Sequence, residues 1–490
     1  MSLAVFMLEF TLTREVSPIK EFYAPIYNSI KNYINSRPTA FHMPGHKMGR
    51  LFPLGNEEIL SMDLTEIPGL DNLHYPSGPI LEAQELAAQA FLSDKTYFLV
   101  NGSTCGIYAM IAAMCRPGDK LIVSRDCHKS IIAGMILAGA RPVYIRPVYN
   151  SHFGIFTYLD PFIVEETIKN NPDAAGILVT RPNYYGICSD IDKIIGIAHS
   201  FNMPIAVDEA HGAHLCFNDS LPKSSMQAGA DICVQSAHKT LPALTQCSYL
   251  HIKGSRIDRD RLEYYIRIFQ TTSPSYIFMA SLDCARALMQ QQGKQLLDKL
   301  LITLDTARAS LSDINGIDVI KKTHIDNCFL DETRLVINSK EAGISGYEME
   351  GQLRRNFNIQ VEMSDYYNVV CIATVADISE DFEMLTHSVK ECVLKASNTP
   401  LQGIDFISST IPVQSIELKD IPHCSGEYID IGNAVNRTSI DSVTPYPPGI
   451  PLICPGEFIN SDLIDIIRDI KRAGGIVNGV THDNKIRVVK

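Results

Sequence analysis

From residue 81 to residue 252 the chain alternates helix-patterned segments with short, continuous apolar runs, and this alternation narrows the fold more than any other feature. Helix spacing covers 81–91, 105–115, 129–138, 161–170 and 191–201. Between and after these segments come apolar runs of strand length at 96–100, 120–124, 142–145, 176–180, 204–208, 230–234 and 248–252. Apolar strands separated by helices mark an α/β domain whose mostly parallel, seven-stranded sheet is covered on both faces. Ligands of such sheets bind beyond the carboxyl ends of the strands, so residues just past each run carry the functional information.

Composition excludes several alternatives. At 490 residues the chain is too long for one ordinary core and implies two or three domains. Its 43 basic against 55 acidic residues leave a net charge of -12, the wrong sign for a nucleic-acid binder. Thirteen cysteines, none in a CxxC pair, read as reduced, buried side chains and predict a cytoplasmic protein. The apolar run 3–12 is broken by Glu9 and makes a poor signal peptide. No run reaches the ~20 residues of a membrane span.

Four strand ends carry chemistry. Asn101-Gly102-Ser103-Thr104 opens a helix and offers hydroxyls and N–H groups to a phosphate; the same residues also serve as a plain helix cap. Cys127-His128-Lys129-Ser130 stands at the next junction, where His128 caps a helix or stacks on a flat heteroaromatic ring. Asp208, closing an apolar run, is costly to bury unless paired, and a pyridinium N–H is a suitable partner. Ala210 is small enough to lie beneath such a ring, and His211 is placed to reach its phenolic oxygen. A metal reading of Asp208, Glu209, His211 and His214 lacks a further ligand in position. Finally, Lys239 in Ser236-Ala237-His238-Lys239-Thr240 is placed to condense with an aldehyde once desolvated, with Ser236 on the phosphate. Serine, histidine, aspartate and lysine in this order are far more specific than any one of them, and they point to pyridoxal 5'-phosphate.

These motifs resemble the Orn/Lys/Arg decarboxylases, pyridoxal-phosphate enzymes of fold type I (aspartate-aminotransferase-like). The likeness extends to Phe41-His42-Met43-Pro44-Gly45-His46-Lys47, residues 66–73, Thr272-Ser273-Pro274-Ser275-Tyr276, Pro447-Pro448-Gly449-Ile450-Pro451 and Pro455-Gly456-Glu457. It is similar to the short bacterial form, since no receiver-like wing domain precedes Phe41. Two departures, Ala237 where relatives have threonine and Cys105 where alanine is common, touch only fine phosphate contacts.

The resemblance implies that Lys239 forms the internal aldimine, Asp208 pairs with the pyridine nitrogen and His128 stacks on the ring. Ser103, Thr104, Ser236 and His238 would hold the phosphate, with Thr272 reaching that of a neighbouring subunit in a homodimer whose site lies at the interface. It further implies decarboxylation of a basic L-amino acid, arginine to agmatine first, then lysine or ornithine, at the head of polyamine biosynthesis. Glu457, with Asp71 behind it, is the candidate partner for the substrate's distal charge. An α-oxoamine synthase shares the Asp-Glu-Ala-His element, and a non-catalytic PLP-binding protein is the alternative outside enzymes. Expected domains are an N-terminal arm (1–80), the PLP-binding domain (81–312), a small α+β domain (313–397) and a C-terminal domain (398–490).

Overall fold

The computed structural model describes residues 23–39, 42–44, 46–49, 57–396, 399–401, 403, 410–446 and 449–490. The run 3–12, Phe41, Gly45, Ser397-Asn398 and Pro447-Pro448 lie outside them.

The apolar runs form a seven-stranded sheet: β1 (Lys95–Leu99), β2 (Lys120–Ser124), β3 (Arg141–Ile145), β4 (Gly176–Thr180), β5 (Ile205–Asp208), β6 (Ile232–Gln235) and β7 (Ser248–Ile252), in the order β1-β7-β6-β5-β4-β2-β3. The pairings from β6 through β5, β4 and β2 to β3 are parallel, and β7 runs antiparallel to both β6 and β1. Strand alternation explains why the runs are apolar throughout. Leu121, Val123, Leu178 and Ala206 face one core, which the helices Gly102–Met114 and Lys129–Ala138 cover. Ile122, Ile177, Val179, Ile205 and Val207 face the other, under the helices Pro161–Asn170 and Ile191–Ser200. Gly106 allows the first of these helices close approach, because a Cβ there would lie 2.6 Å from Leu99 Cδ1 and 2.8 Å from Val234 Cγ2. A side chain at position 106 would displace Leu99 and Val234 or push this helix off the sheet.

The helix Tyr276–Ser312 leads away from this domain. Its buried Asp283 accepts the Ile26 N–H at 2.9 Å, tying down the N-terminal helix Pro25–Asn35. A four-stranded antiparallel sheet follows, with Arg334–Asn338 paired to Asn368–Ile372, under the helices Gly346–Phe357 and Ser379–Leu394. The run 359–362, Ile-Gln-Val-Glu, reads as a strand but is loop; Met363–Ser364 is the part that pairs, against Val370 and Val369. The C-terminal part packs the amphipathic helix Ser461–Arg472 through Leu463, Ile464, Ile467 and Ile470 onto paired strands Gly426–Asp430 and Lys485–Val489.

One buried histidine makes stability depend on acid. His251, in β7, bonds Thr96 Oγ1 through Nδ1 at 2.8 Å and Gln235 Oε1 through Nε2 at 3.1 Å. Burial pushes it down to about 3, from an ordinary value near 6.5. Between those values the unfolded chain binds a proton that the fold refuses, so stability falls as pH drops through the window. His251→Gln is predicted to be less stable than the parent at pH 7, with the gap narrowing by roughly 2–3 kcal/mol at pH 4. Urea midpoints across pH check this; a gap that stays constant contradicts it.

Candidate active site

Each functional side chain sits where a strand gives way to a helix or turn. After β1, Gly102 (φ 76°) turns the chain into the helix whose first turn presents Ser103. The Ser236 hydroxyl, just past β6, donates to Ser103 Oγ at 2.9 Å, so the two hydroxyls form one cradle at a helix N-terminus. His128 caps the helix Lys129–Ala138, its Nδ1 2.7 Å from Ser130 Oγ. Burial and the nearby Lys239 charge push His128 down to about 4, so its ring is neutral at physiological pH.

At the end of β5, Asp208 and Glu209 diverge. Glu209 is locked beneath the sheet by Arg181 (3.4 Å), Ser225 Oγ (2.7 Å) and Gln235 Nε2 (2.7 Å). Asp208, 3 % exposed, enters the pocket and accepts the Ala210 N–H at 3.1 Å; among the described residues it has no ion pair. Burial holds its carboxyl above the usual range, against the opposing pull of Lys239. A buried carboxylate without a cation partner fits a cationic ring N–H.

Lys239 stands on the short helix Ala237–Thr240, its Nζ 3.1 Å from His211 Nε2. Burial lowers the proton affinity of its amine, as a nucleophile requires. Ser103, His128, Asp208, Ala210, His211 and Lys239 line one pocket, walled further by Thr180, Pro182 and Tyr184. The donor set therefore suits a flat aldehyde-bearing heteroaromatic ring with a phosphate. Thr104 shares the helix turn with Ser103, and His238 bonds Cys247 O at 2.9 Å through Nδ1. Thr272 is exposed on a loop and does not line the pocket.

The two carboxylates expected to meet the substrate's distal charge, Glu457 and Asp71, both have partners within the chain and do not line this pocket. Glu457 is 0 % exposed: Oε2 takes Arg125 Nη2 at 3.1 Å and the Cys454 N–H at 2.6 Å. It clamps the C-terminal domain to the residue following β2. Asp71 is spent on backbone: its oxygens accept the N–H groups of Asn72 (2.8 Å), Ser77 (2.9 Å), Gly78 (2.7 Å) and Ile80 (3.1 Å), capping the helix Pro79–Ala90.

Sequence reasoning missed two residues of the small domain. Arg334, 1 % exposed, donates through Nη2 to His211 Nδ1 at 3.0 Å. Glu362 is exposed and close enough to raise the proton affinity of both Lys239 and Arg334. The available signal was a charged residue at the edge of each strand-length run, Arg334 before 335–338 and Glu362 closing 359–362.

Fold and site together define an α/β enzyme of fold type I, with a lysine, an aspartate and a hydroxyl cradle at successive strand ends. The chain belongs to the Orn/Lys/Arg decarboxylase family: residues 24–381 match that family's major domain and residues 417–483 its C-terminal domain. It is 37% identical over 478 residues to an arginine decarboxylase of Bacillus subtilis (strain 168), covering 95% of this chain and 98% of that protein. An arginine decarboxylase of Bacillus anthracis is 36% identical over 471 residues, covering 94% and 96%. In structure it resembles the lysine decarboxylase LdcF of Francisella novicida, with TM-score 0.83 at 22% identity, covering 96% of this chain and 82% of that one. No helix among the described residues is long and apolar enough to cross a membrane.

Proposed function

We propose that this chain uses pyridoxal 5'-phosphate to decarboxylate L-arginine to agmatine and CO2, as the first step of a cytoplasmic route to polyamines. The observation that carries the reading is the pair of Lys239, a half-buried amine of lowered proton affinity, and Asp208, a buried carboxylate with no ion pair among the described residues, in one pocket. The substrate choice rests on the two arginine decarboxylases that match nearly the full chain.

When bound, pyridoxal phosphate would supply a sink for the electron pair of the bond to the departing carboxylate. Lys239 would be its covalent anchor, and Asp208 would pair with the ring nitrogen and keep it protonated. His128 would face the ring, and Ser103, Thr104, Ser236 and His238 would hold the phosphate, with Thr272 contributed by a second copy in a homodimer. After CO2 leaves, Lys239 Nζ or His211 Nε2 supplies the proton that Cα needs. The apolar walls favour departure of a carboxylate whose charge is lost as CO2 forms.

Glu362 pairs with the distal guanidinium in this account, because it is the exposed carboxylate acting on Lys239 from the small domain. Losing one hydrogen bond to a charged group is worth about 1.5–3 kcal/mol, so Glu362→Gln is predicted to raise KM for arginine roughly ten- to hundredfold with a smaller change in kcat. An unchanged KM removes Glu362 from this role.

Incubation of the purified protein with pyridoxal phosphate and arginine, lysine or ornithine separately, followed by amine analysis, tests the reaction. Agmatine as the dominant product is expected. Cadaverine or putrescine instead replaces the substrate, and no amine from any of the three overturns the proposal.

A further inference from the structure

The contacts around His211 determine which atoms carry protons. Arg334 Nη2 lies 3.0 Å from His211 Nδ1 and 3.3 Å from the His211 carbonyl oxygen. A guanidinium only donates, so Nδ1 accepts and the neutral ring carries its proton on Nε2. That Nε2 is 3.1 Å from Lys239 Nζ. An ammonium has three N–H donors and no lone pair, so it would meet Nε2–H donor to donor. A free amine has the lone pair that accepts this proton.

We infer that Arg334 is a positioning residue that holds Lys239 as a free amine by fixing the proton of His211 on Nε2. The chain of donation runs Arg334 to His211 to Lys239, and every hydrogen bond in it is satisfied in one protonation state only. The inference deepens the reading of Lys239 as the nucleophile and rests on it.

Other groups facing Lys239 pull both ways. Asp208 at the end of β5 and Glu362 from the loop before Met363–Ser364 favour the ammonium. Arg334 disfavours it directly, as does burial; burial, the largest cause in each, also lowers the proton affinity of His128 and His238. His211 is likewise kept well below its ordinary value, first by burial and with Arg334 acting in the same direction, so a doubly protonated ring does not disturb the pattern. Two further guanidinium nitrogens of Arg334, Nε and Nη1, are buried without a hydrogen-bond partner. Nη1 lies 3.9 Å from the buried Asp331 Oδ2, so charge holds one side of the guanidinium while its side-chain hydrogen bonds among the described residues, both from Nη2, go to His211.

The test uses cofactor-free protein, so it reads the amine whether or not arginine is the substrate. Trace acetic anhydride labels lysines across a pH series, and mass spectrometry quantifies the Lys239 peptide. Arg334→Met frees Nδ1, allows the ring to turn its lone pair toward Nζ, and is expected to raise the proton affinity of Lys239 by about one unit, a tenfold loss of labelling near neutral pH. Arg334→Lys, which keeps a cationic donor, should restore most of the labelling. In a His211→Phe background, Arg334→Met should change labelling less than about twofold, since coupling between the two sites is what a double-mutant cycle isolates. Unchanged labelling in Arg334→Met, or an equal loss in the His211→Phe background, overturns the inference and leaves at most a direct charge effect. Nitrogen-15 NMR of the parent requires no variant: a His211 proton on Nε2 is expected, and one on Nδ1 overturns it. Failure of decarboxylation with normal labelling would count against the proposed reaction and not against this arrangement.

Discussion

Replacing Lys239 by alanine is expected to lower decarboxylation by roughly a thousandfold or more, over 4 kcal/mol of barrier at 1.36 kcal/mol per tenfold. Lys239 is the sole amine lining the pocket, within reach of His211 and opposite Asp208. No neighbouring side chain can take over covalent attachment, because His128, His211 and Ser103 have no primary amine. The fold should not suffer. Burial makes the Lys239 ammonium unfavourable, and its one bonded neighbour, His211, remains held by Arg334. A Lys239→Ala protein with an undiminished thermal midpoint and activity at background fits the account. Substantial residual turnover contradicts it.

The second large effect is on stability. Arg125→Met is expected to destabilise the protein by about 3–5 kcal/mol, the usual result of stranding one member of a buried ion pair. Arg125 donates to Pro451 O at 2.7 Å, Leu452 O at 3.1 Å and Glu457 Oε2 at 3.1 Å, so one guanidinium joins the strand-end segment to the C-terminal domain. Its removal leaves the Glu457 carboxylate buried beside the Tyr144 ring, over which Arg125 lies at 5.1 Å. The double variant Arg125→Met/Glu457→Met should recover most of the loss, because two apolar side chains carry no desolvation cost. Chemical denaturation of the three proteins decides it. A double variant no better than Arg125→Met would mean that the carbonyl contacts, and not the ion pair, hold the domains together.

These two effects bear on what can be read without coordinates. Ser103, His128, Asp208 and Lys239 were legible because a parallel sheet places every strand end at one edge, so local motifs converge without any knowledge of packing. Arg334 and Glu362 were not, because they come from a separate sheet and the loop leading into it, reached through the helix Tyr276–Ser312, and no local pattern states how that sheet docks. Glu457 and Asp71 show a different limit. An acidic residue beside Pro-Gly looks the same whether it faces a ligand or a guanidinium from 332 positions away, and only the Arg125 contact separates the two. Asp71 likewise precedes a helix start that consumes it as a cap, a contest between local hydrogen bonding and ligand binding that residue type alone does not decide. Residues 359–362, Ile-Gln-Val-Glu, alternate as a strand would, yet pairing starts only at Met363, because alternation states which side chains can face a core and not where a partner strand lies.

The most direct measurement is borohydride reduction of the protein loaded with pyridoxal phosphate, followed by peptide mapping. The account predicts one pyridoxyl group, on Lys239, formed in step with the loss of decarboxylation. Attachment to another lysine, or no attachment at all in protein that releases CO2 from arginine, would contradict it.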